Sequence, residues 1–246
     1  MSCCVLIPCL NEEKAIARIV NEVLALGLDV IVVDDGSDDR TPDIVATLPV
    51  TLLRHDRRRG KGEALRTGFR EVLRQGYDAV VTMDGDGQHL AADVPRLIAA
   101  AHRYPGHIVI GARLLDKAQQ PKGRRRANAV ADWGISVACG QAIADTQSGQ
   151  RLYPRSVIDM VDIAADHFVF EAALLIAASR ERGVRVASVP IASRYHGEFR
   201  LSHFRPVRDV TRITLYTVGR AFHYGKFRQA LRGARNLPLI VDPAPY

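Results

Sequence analysis

Cysteine is scarce in this chain: four occur in 246 residues, and none has a metal-ligand spacing. Three of them, Cys3, Cys4 and Cys9, fall in one short apolar run. Neighbouring strand residues point to opposite faces, so Cys3 and Cys4 are not expected to pair. A disulfide scaffold is excluded, and reduced thiols in a cytosolic protein are the expectation. Long hydrophobic runs are missing too. The longest, such as Ala172 to Ala178, fall far short of the roughly 20 residues of a membrane span. The first residues lack the charged start and apolar stretch of a signal peptide. A cytoplasmic chain is expected, soluble or peripheral on the inner face of the cell membrane.

Acidic residues are nearly absent from one region. Between Arg200 and Arg235 stand nine basic residues (Arg200, Arg205, Arg208, Arg212, Arg220, Lys226, Arg228, Arg232, Arg235) against the single acid Asp209. The net charge of +7 therefore belongs to this segment, because the rest of the chain is nearly neutral. A basic stripe mixed with Val207, Val210, Ile213, Leu215, Phe222, Tyr224 and Phe227 suits an anionic membrane surface. A core-packing helix with a solvated basic face fits equally well. No nucleic-acid recognition motif accompanies the charge, which argues against that partner.

What is present is a regular alternation of apolar runs and amphipathic stretches. Strands are expected at Cys3–Pro8, Asp29–Val33, Val50–Leu53, Ala79–Met83 and Ile108–Gly111. Helices are expected between them, the first capped by Asn11 with Glu12 and Glu13 in its first turn. This order predicts an α/β fold, a doubly wound, Rossmann-like, mostly parallel sheet with helices on both faces. The second half is less regular, with helices at Arg126–Cys139 and Phe168–Arg182, a strand near Arg151 and another at Val184–Ile191. Pro206 to about Leu231 reads as helical, broken around Gly219 and Gly225.

The polar motifs fall where strands end, the place where ligands bind in open α/β sheets. Met83 to His89 holds two carboxylates, Asp84 and Asp86, around a glycine. Held together they repel unless a positive charge joins them, and a hard divalent cation, Mg2+ or Mn2+, suits their oxygens. Taken alone, a solvated acidic turn explains the tripeptide equally well. Asp34-Asp35-Gly36-Ser37 offers carboxylates to a nucleobase or ribose, or forms a turn that caps the next helix. Gly60-Lys61-Gly62 offers backbone N–H groups and a cation to phosphate at a helix start, without the full Walker spacing.

Together these pieces resemble the family-2 glycosyltransferases of the GT-A fold. The resemblance runs through Ile7 to Glu12, Val33 to Ser37, Gly60 to Phe69 and Met83 to His89. It continues into Gly111-Ala112-Arg113, Asp145 to Gly149 and Phe170-Glu171, covering roughly residues 3 to 215. It implies a GT-A domain over 1–205, with a nucleotide-binding half 1–115 and an acceptor half 116–205, followed by a basic helical extension over 206–246. It implies a nucleotide-sugar donor (UDP- or GDP-sugar) bound by Pro8, Leu10, Asn11, Glu12, Asp35, Lys61, Asp84 and Asp86. Asp84 and Asp86 would hold the metal and diphosphate, with Gln88 beside them. Arg113 would face the sugar or diphosphate, and the anomeric centre would be inverted. Glu171, Arg151 and Arg205 would lie on the acceptor side.

The subgroup resembled most is that of the dolichol-phosphate mannosyltransferases, which implies a lipid acceptor of the polyprenyl-phosphate kind. A phosphate acceptor needs little general-base help, whereas a hydroxyl acceptor would need a base, for which Asp145 is the candidate. Two departures stand out: Gln150 replaces an aromatic residue, and Ser202 to Pro206 replaces the usual acceptor loop. The Ser202–Ile213 stretch also resembles glycosyltransferases of aryl-polyene lipid synthesis, with His203 as a catalytic or phosphate-binding residue. The competing readings are a sugar nucleotidyltransferase, disfavoured by Cys9-Leu10-Asn11-Glu12 at the first turn, and a non-catalytic nucleotide-sugar-binding protein.

Overall fold

The structure is a computed structural model. It describes residues 1–115, 122–163, 169–192, 216, 217, 219, 227–236 and 239–243. His203, Arg205 and the expected helix start at Pro206 lie outside the described residues.

The strands are β1 (Cys3–Cys9), β2 (Val30–Asp34), β3 (Thr51–Arg54), β4 (Ala79–Thr82), β5 (Ile108–Ala112), β6 (Arg151–Pro154), β7 (Val186–Pro190) and β8 (Ile240–Val241). They form one sheet in the order β3-β2-β1-β4-β6-β5-β7-β8. Every pairing is parallel except those of β6, which runs antiparallel to β4 and β5. β1, β2, β4 and β5 are buried along nearly their whole length, as strands covered on both faces must be.

The helices are α1 (Ile16–Leu24), α2 (Thr41–Ala46), α3 (Lys61–Arg74), α4 (Val94–Arg103), α5 (Lys122–Cys139), α6 (Arg155–Ile158), α7 (Val169–Glu181) and α8 (Phe227–Asn236). Two hydrophobic cores flank the sheet. Cys4 and Leu6 of β1 point into one, with α3, α5, α6 and α7; Val5 and Ile7 point into the other, with α1, α2 and α4. The twofold period of β1 thus feeds both layers. α7 is buried on every side from Phe170 to Ala178, which explains its uninterrupted apolar sequence. The cysteines are core filler: all four are free, and burial pushes the Cys3 and Cys139 thiols up to about 12.

Two expectations are corrected. Asn11 does not cap α1. It sits at φ 57, and its side-chain oxygen accepts a hydrogen bond from the Asp38 backbone N–H at 3.0 Å, tying two loops together. Asparagine tolerates this left-handed conformation, and α1 starts only at Ile16. The C-terminal residues are not wholly helical either. β8 pairs parallel with β7, Ile240 beside Ala187, and the buried Asp242 carboxylate accepts from the Arg103 guanidinium of α4. α8 runs to Asn236 and packs against α5.

Close packing of α3 on β1 depends on Gly68, where a Cβ would collide with the Leu6 methyl groups. Gly68→Val is expected to destabilise the fold by about 1–3 kcal/mol through overpacking. A melting temperature equal to the unsubstituted protein's would contradict this packing.

Candidate active site

The C-terminal ends of β1, β2 and β4 bring the sequence motifs to one edge of the sheet. Pro8 lies in β1 beside Val33, and Leu10 follows the strand, half-buried. The backbone N–H groups of Asn11 and Glu12 donate to the hydroxyls of Ser37 and Thr41, both at 2.8 Å. The first and second loops are therefore locked together through side chains.

Asp35 is buried, and protein donors engage both its oxygens. One accepts from Arg59 N–H at 2.8 Å and lies 2.8 Å from His55 Nδ1; the other accepts from Gly60 N–H at 2.7 Å. His55 Nε2 in turn lies 3.0 Å from the Thr67 hydroxyl of α3. Asp35 thus fixes the loop that opens α3, where the sequence suggested direct bonding to the nucleotide. His55 escaped the sequence reading. Its signal was a histidine directly after a strand end, masked by the charged run Arg54 to Arg59 around it.

Lys61, the first residue of α3, reaches across to the acidic turn after β4. Its ammonium lies 2.7 Å from Asp84 Oδ1 and 3.1 Å from Glu171 Oε2 of α7. Burial works against the charge on both groups, but the pairing keeps Lys61 charged and holds Asp84 below the usual carboxylate range. The Asp84 carboxylate lies flat against Gly149, where a Cβ would overlap it. His89 is buried 3.8 Å from Asp84, and burial lowers it to about 4, so it stands neutral beside the acid.

Asp86 is different. It accepts a hydrogen bond from Gln88 N–H at 3.0 Å, which shapes the turn. Burial and the neighbouring Asp84 charge push its carboxyl up to about 6. Among the described residues no group of three or more His, Cys, Asp or Glu side chains forms a metal cage. Two carboxylates completed by substrate phosphates fit Mg2+ or Mn2+, which keep part of their shell for ligands other than protein.

Arg113 and Asp145 meet, but as partners of each other. Arg113 Nε and backbone N–H donate to Asp145 Oδ2 and Nη2 donates to Oδ1, each at 2.7 Å. Although burial opposes its charge, this fork holds Asp145 below the usual range. Asp145 is therefore a poor base, contrary to the role first offered for it, and the Arg113 guanidinium is engaged with a carboxylate. Asp145 sits at φ 49. The Asp132 carboxylate of α5 holds that loop by accepting from Asp145 N–H at 3.2 Å and Thr146 N–H at 2.7 Å. Asp132 was also missed, hidden in what reads as an ordinary helix.

Arg151 is corrected as an acceptor-side residue. It is buried and donates to the carbonyls of Ser148 and Thr146, both at 2.7 Å, so it props up the loop that carries Gly149. Gln150, which replaces an aromatic residue, is fully buried and donates to the Leu90 carbonyl at 2.9 Å.

A family model described as Glycosyl transferase family 2 matches residues 4–161. The chain belongs to this glycosyltransferase family. Among its relatives is the UDP-N-acetylglucosamine–dolichyl-phosphate N-acetylglucosaminyltransferase of Methanococcus voltae, 28% identical over 77% of this chain and 84% of that protein. The undecaprenyl-phosphate mannosyltransferase of Micrococcus luteus is 30% identical over 71% of this chain and 76% of its own length. The fold also matches the crystal structure of glucosyl-3-phosphoglycerate synthase from Mycobacterium tuberculosis, solved with Mn2+ and UDP. The TM-score is 0.68 at 21% identity, over 91% of this chain and 79% of that one. The chain is a glycosyltransferase with the GT-A architecture, related to polyprenyl-phosphate glycosyltransferases. Among the described residues no helix is long and apolar enough to cross a membrane.

The raised Asp86 carboxyl has a pH signature. Its folded pKa of about 6 lies above the ordinary value of 3.8, so its contribution to stability is present in acid and is lost as pH rises through 6. Asp86→Asn should therefore melt above the unsubstituted protein at pH 7.5 without metal, and the gap should close near pH 4. Each kcal/mol relieved corresponds to about 2–4 °C at this chain length. A gap that is constant with pH would contradict the assignment.

Proposed function

We propose that the protein is an inverting, divalent-metal-dependent glycosyltransferase that moves a sugar from a UDP- or GDP-sugar to a polyprenyl phosphate. The observation that carries this reading is the pair Asp84 and Asp86 at the end of β4, beside the Lys61 ammonium. A bound Mg2+ or Mn2+ would supply Lewis-acid stabilisation of the leaving diphosphate. Asp84 and Asp86 would hold it, with Gln88 beside them. Lys61 adds positive charge at the start of α3, where the positive end of the helix also favours phosphate.

Among the described residues the two acids expected on the acceptor side are already paired, which favours an acceptor that needs no base. Asp145 is neutralised by Arg113, and Glu171 pairs with Lys61. A hydroxyl acceptor needs a base to take its proton, whereas a phosphate monoester is already ionised, its second pKa being about 6. The relatives named as dolichyl-phosphate and undecaprenyl-phosphate transferases support the same choice. Incubation with a panel of UDP- and GDP-sugars, Mn2+ and a short polyprenyl phosphate, read by mass spectrometry, should yield a glycosyl-phosphate lipid. Asp86→Ala should lose about 100-fold or more of the rate with an unchanged circular dichroism spectrum. Turnover at the unsubstituted rate in that variant, or product formed only on alcohol acceptors, would refute the reading.

The basic segment around 200–235 is proposed to hold the enzyme at an anionic membrane where such an acceptor resides. Arg232 and Arg235 stand in its described part, on α8. Replacing both by Glu should reduce sedimentation with phosphatidylglycerol liposomes several-fold, at about 1 kcal/mol per charge near the surface. Unchanged sedimentation would contradict the membrane role.

A further inference from the structure

We propose that Lys61 is a resident counter-cation which the metal must displace, so that metal and nucleotide diphosphate load this site together. The inference rests on reading the acidic turn as the metal site, and it adds the order in which that site fills.

Three carboxylates, Asp84, Asp86 and Glu171, lie within the electrostatic reach of Lys61. Its ammonium bridges two of them, at 2.7 Å from Asp84 and 3.1 Å from Glu171. The contact has little freedom on the acid's side, because Asp84 is pressed against the Gly149 backbone. A divalent cation sharing Asp84 would therefore meet Lys61 at the same carboxylate, and two cations there repel strongly in a partly buried setting.

Lysine is suited to give way. Its charge sits on a flexible four-carbon stem, unlike the rigid fork of arginine. Its Cα lies at the start of α3, where a diphosphate finds backbone N–H groups and the positive end of the helix. When a diphosphate arrives it offers Lys61 a new anionic partner and offers the metal further oxygens. Metal alone must break the Lys61–Asp84 pair without giving the ammonium a new anionic partner, and diphosphate alone meets the Asp84 and Asp86 carboxylates with no metal between. Each ligand therefore improves the affinity for the other by the same factor.

Calorimetric titration of Mn2+ into the full chain, alone and with UDP or GDP present, tests this. Unsubstituted protein should bind Mn2+ weakly alone and much more tightly with nucleotide. Lys61→Met should bind Mn2+ alone about tenfold more tightly than unsubstituted protein, within the usual range of coupling between two ligands. The tightening caused by nucleotide should shrink in the same variant. Lys61→Arg, which keeps the charge, should retain weak binding of Mn2+ alone. Should Lys61→Met fail to fold, Lys61→Gln is read in the same way. Equal or weaker binding of Mn2+ alone by the neutral variant overturns the exchange while leaving the metal site standing. No Mn2+ binding under any condition, with UDP or with GDP, overturns the metal site and the exchange together.

Discussion

Two acids side by side at the end of a buried strand need positive charge, and much of the site is arranged around that requirement. Asp84 finds Lys61 at 2.7 Å, while Asp86 holds its proton up to about pH 6. Among the described residues Asp84 forms a direct ion pair, whereas Asp86 meets the same cation only at longer range. Lys61 then draws Glu171 into the same network, so the start of α3, the turn after β4 and the start of α7 converge on one point.

The sheet supplies that convergence. Among the described residues β6 alone runs against its neighbours, and it leaves the loop before it, Asp145 to Gln150, beside the turn after β4. Gly149 packs directly on Asp84, and the Thr82 hydroxyl donates to the Gly149 carbonyl at 2.9 Å. Buried Arg151 and half-buried Asp132 of α5 hold the loop in place. Hydrogen bonds offset the desolvation of these polar groups and fix the loop beside the acids.

Much of this was legible in the sequence because strand ends and apolar periods are local properties. The parallel half, the burial of α1 through Ile16, Ile19, Val20 and Val23, and the placement of Asp84 after a buried strand all follow from spacing. What could not be read is pairing across the fold. Arg113 and Asp145 are 32 positions apart, and each seemed available for substrate until the structure joined them. Arg151 was expected on the acceptor side because the carbonyls that engage its guanidinium cannot be read from sequence. Strand β8, two residues long, carries too short a period to announce itself; it pairs with β7, and the contact of Asp242 with Arg103 follows directly after it.

The most direct test of the acidic turn as a metal–diphosphate site is anomalous diffraction at the manganese edge from crystals grown with Mn2+ and UDP or GDP. The account predicts one strong peak in contact with both the Asp84 and Asp86 carboxylates, with the Lys61 ammonium withdrawn from Asp84. A peak elsewhere, or no peak in crystals that hold the nucleotide, would contradict it.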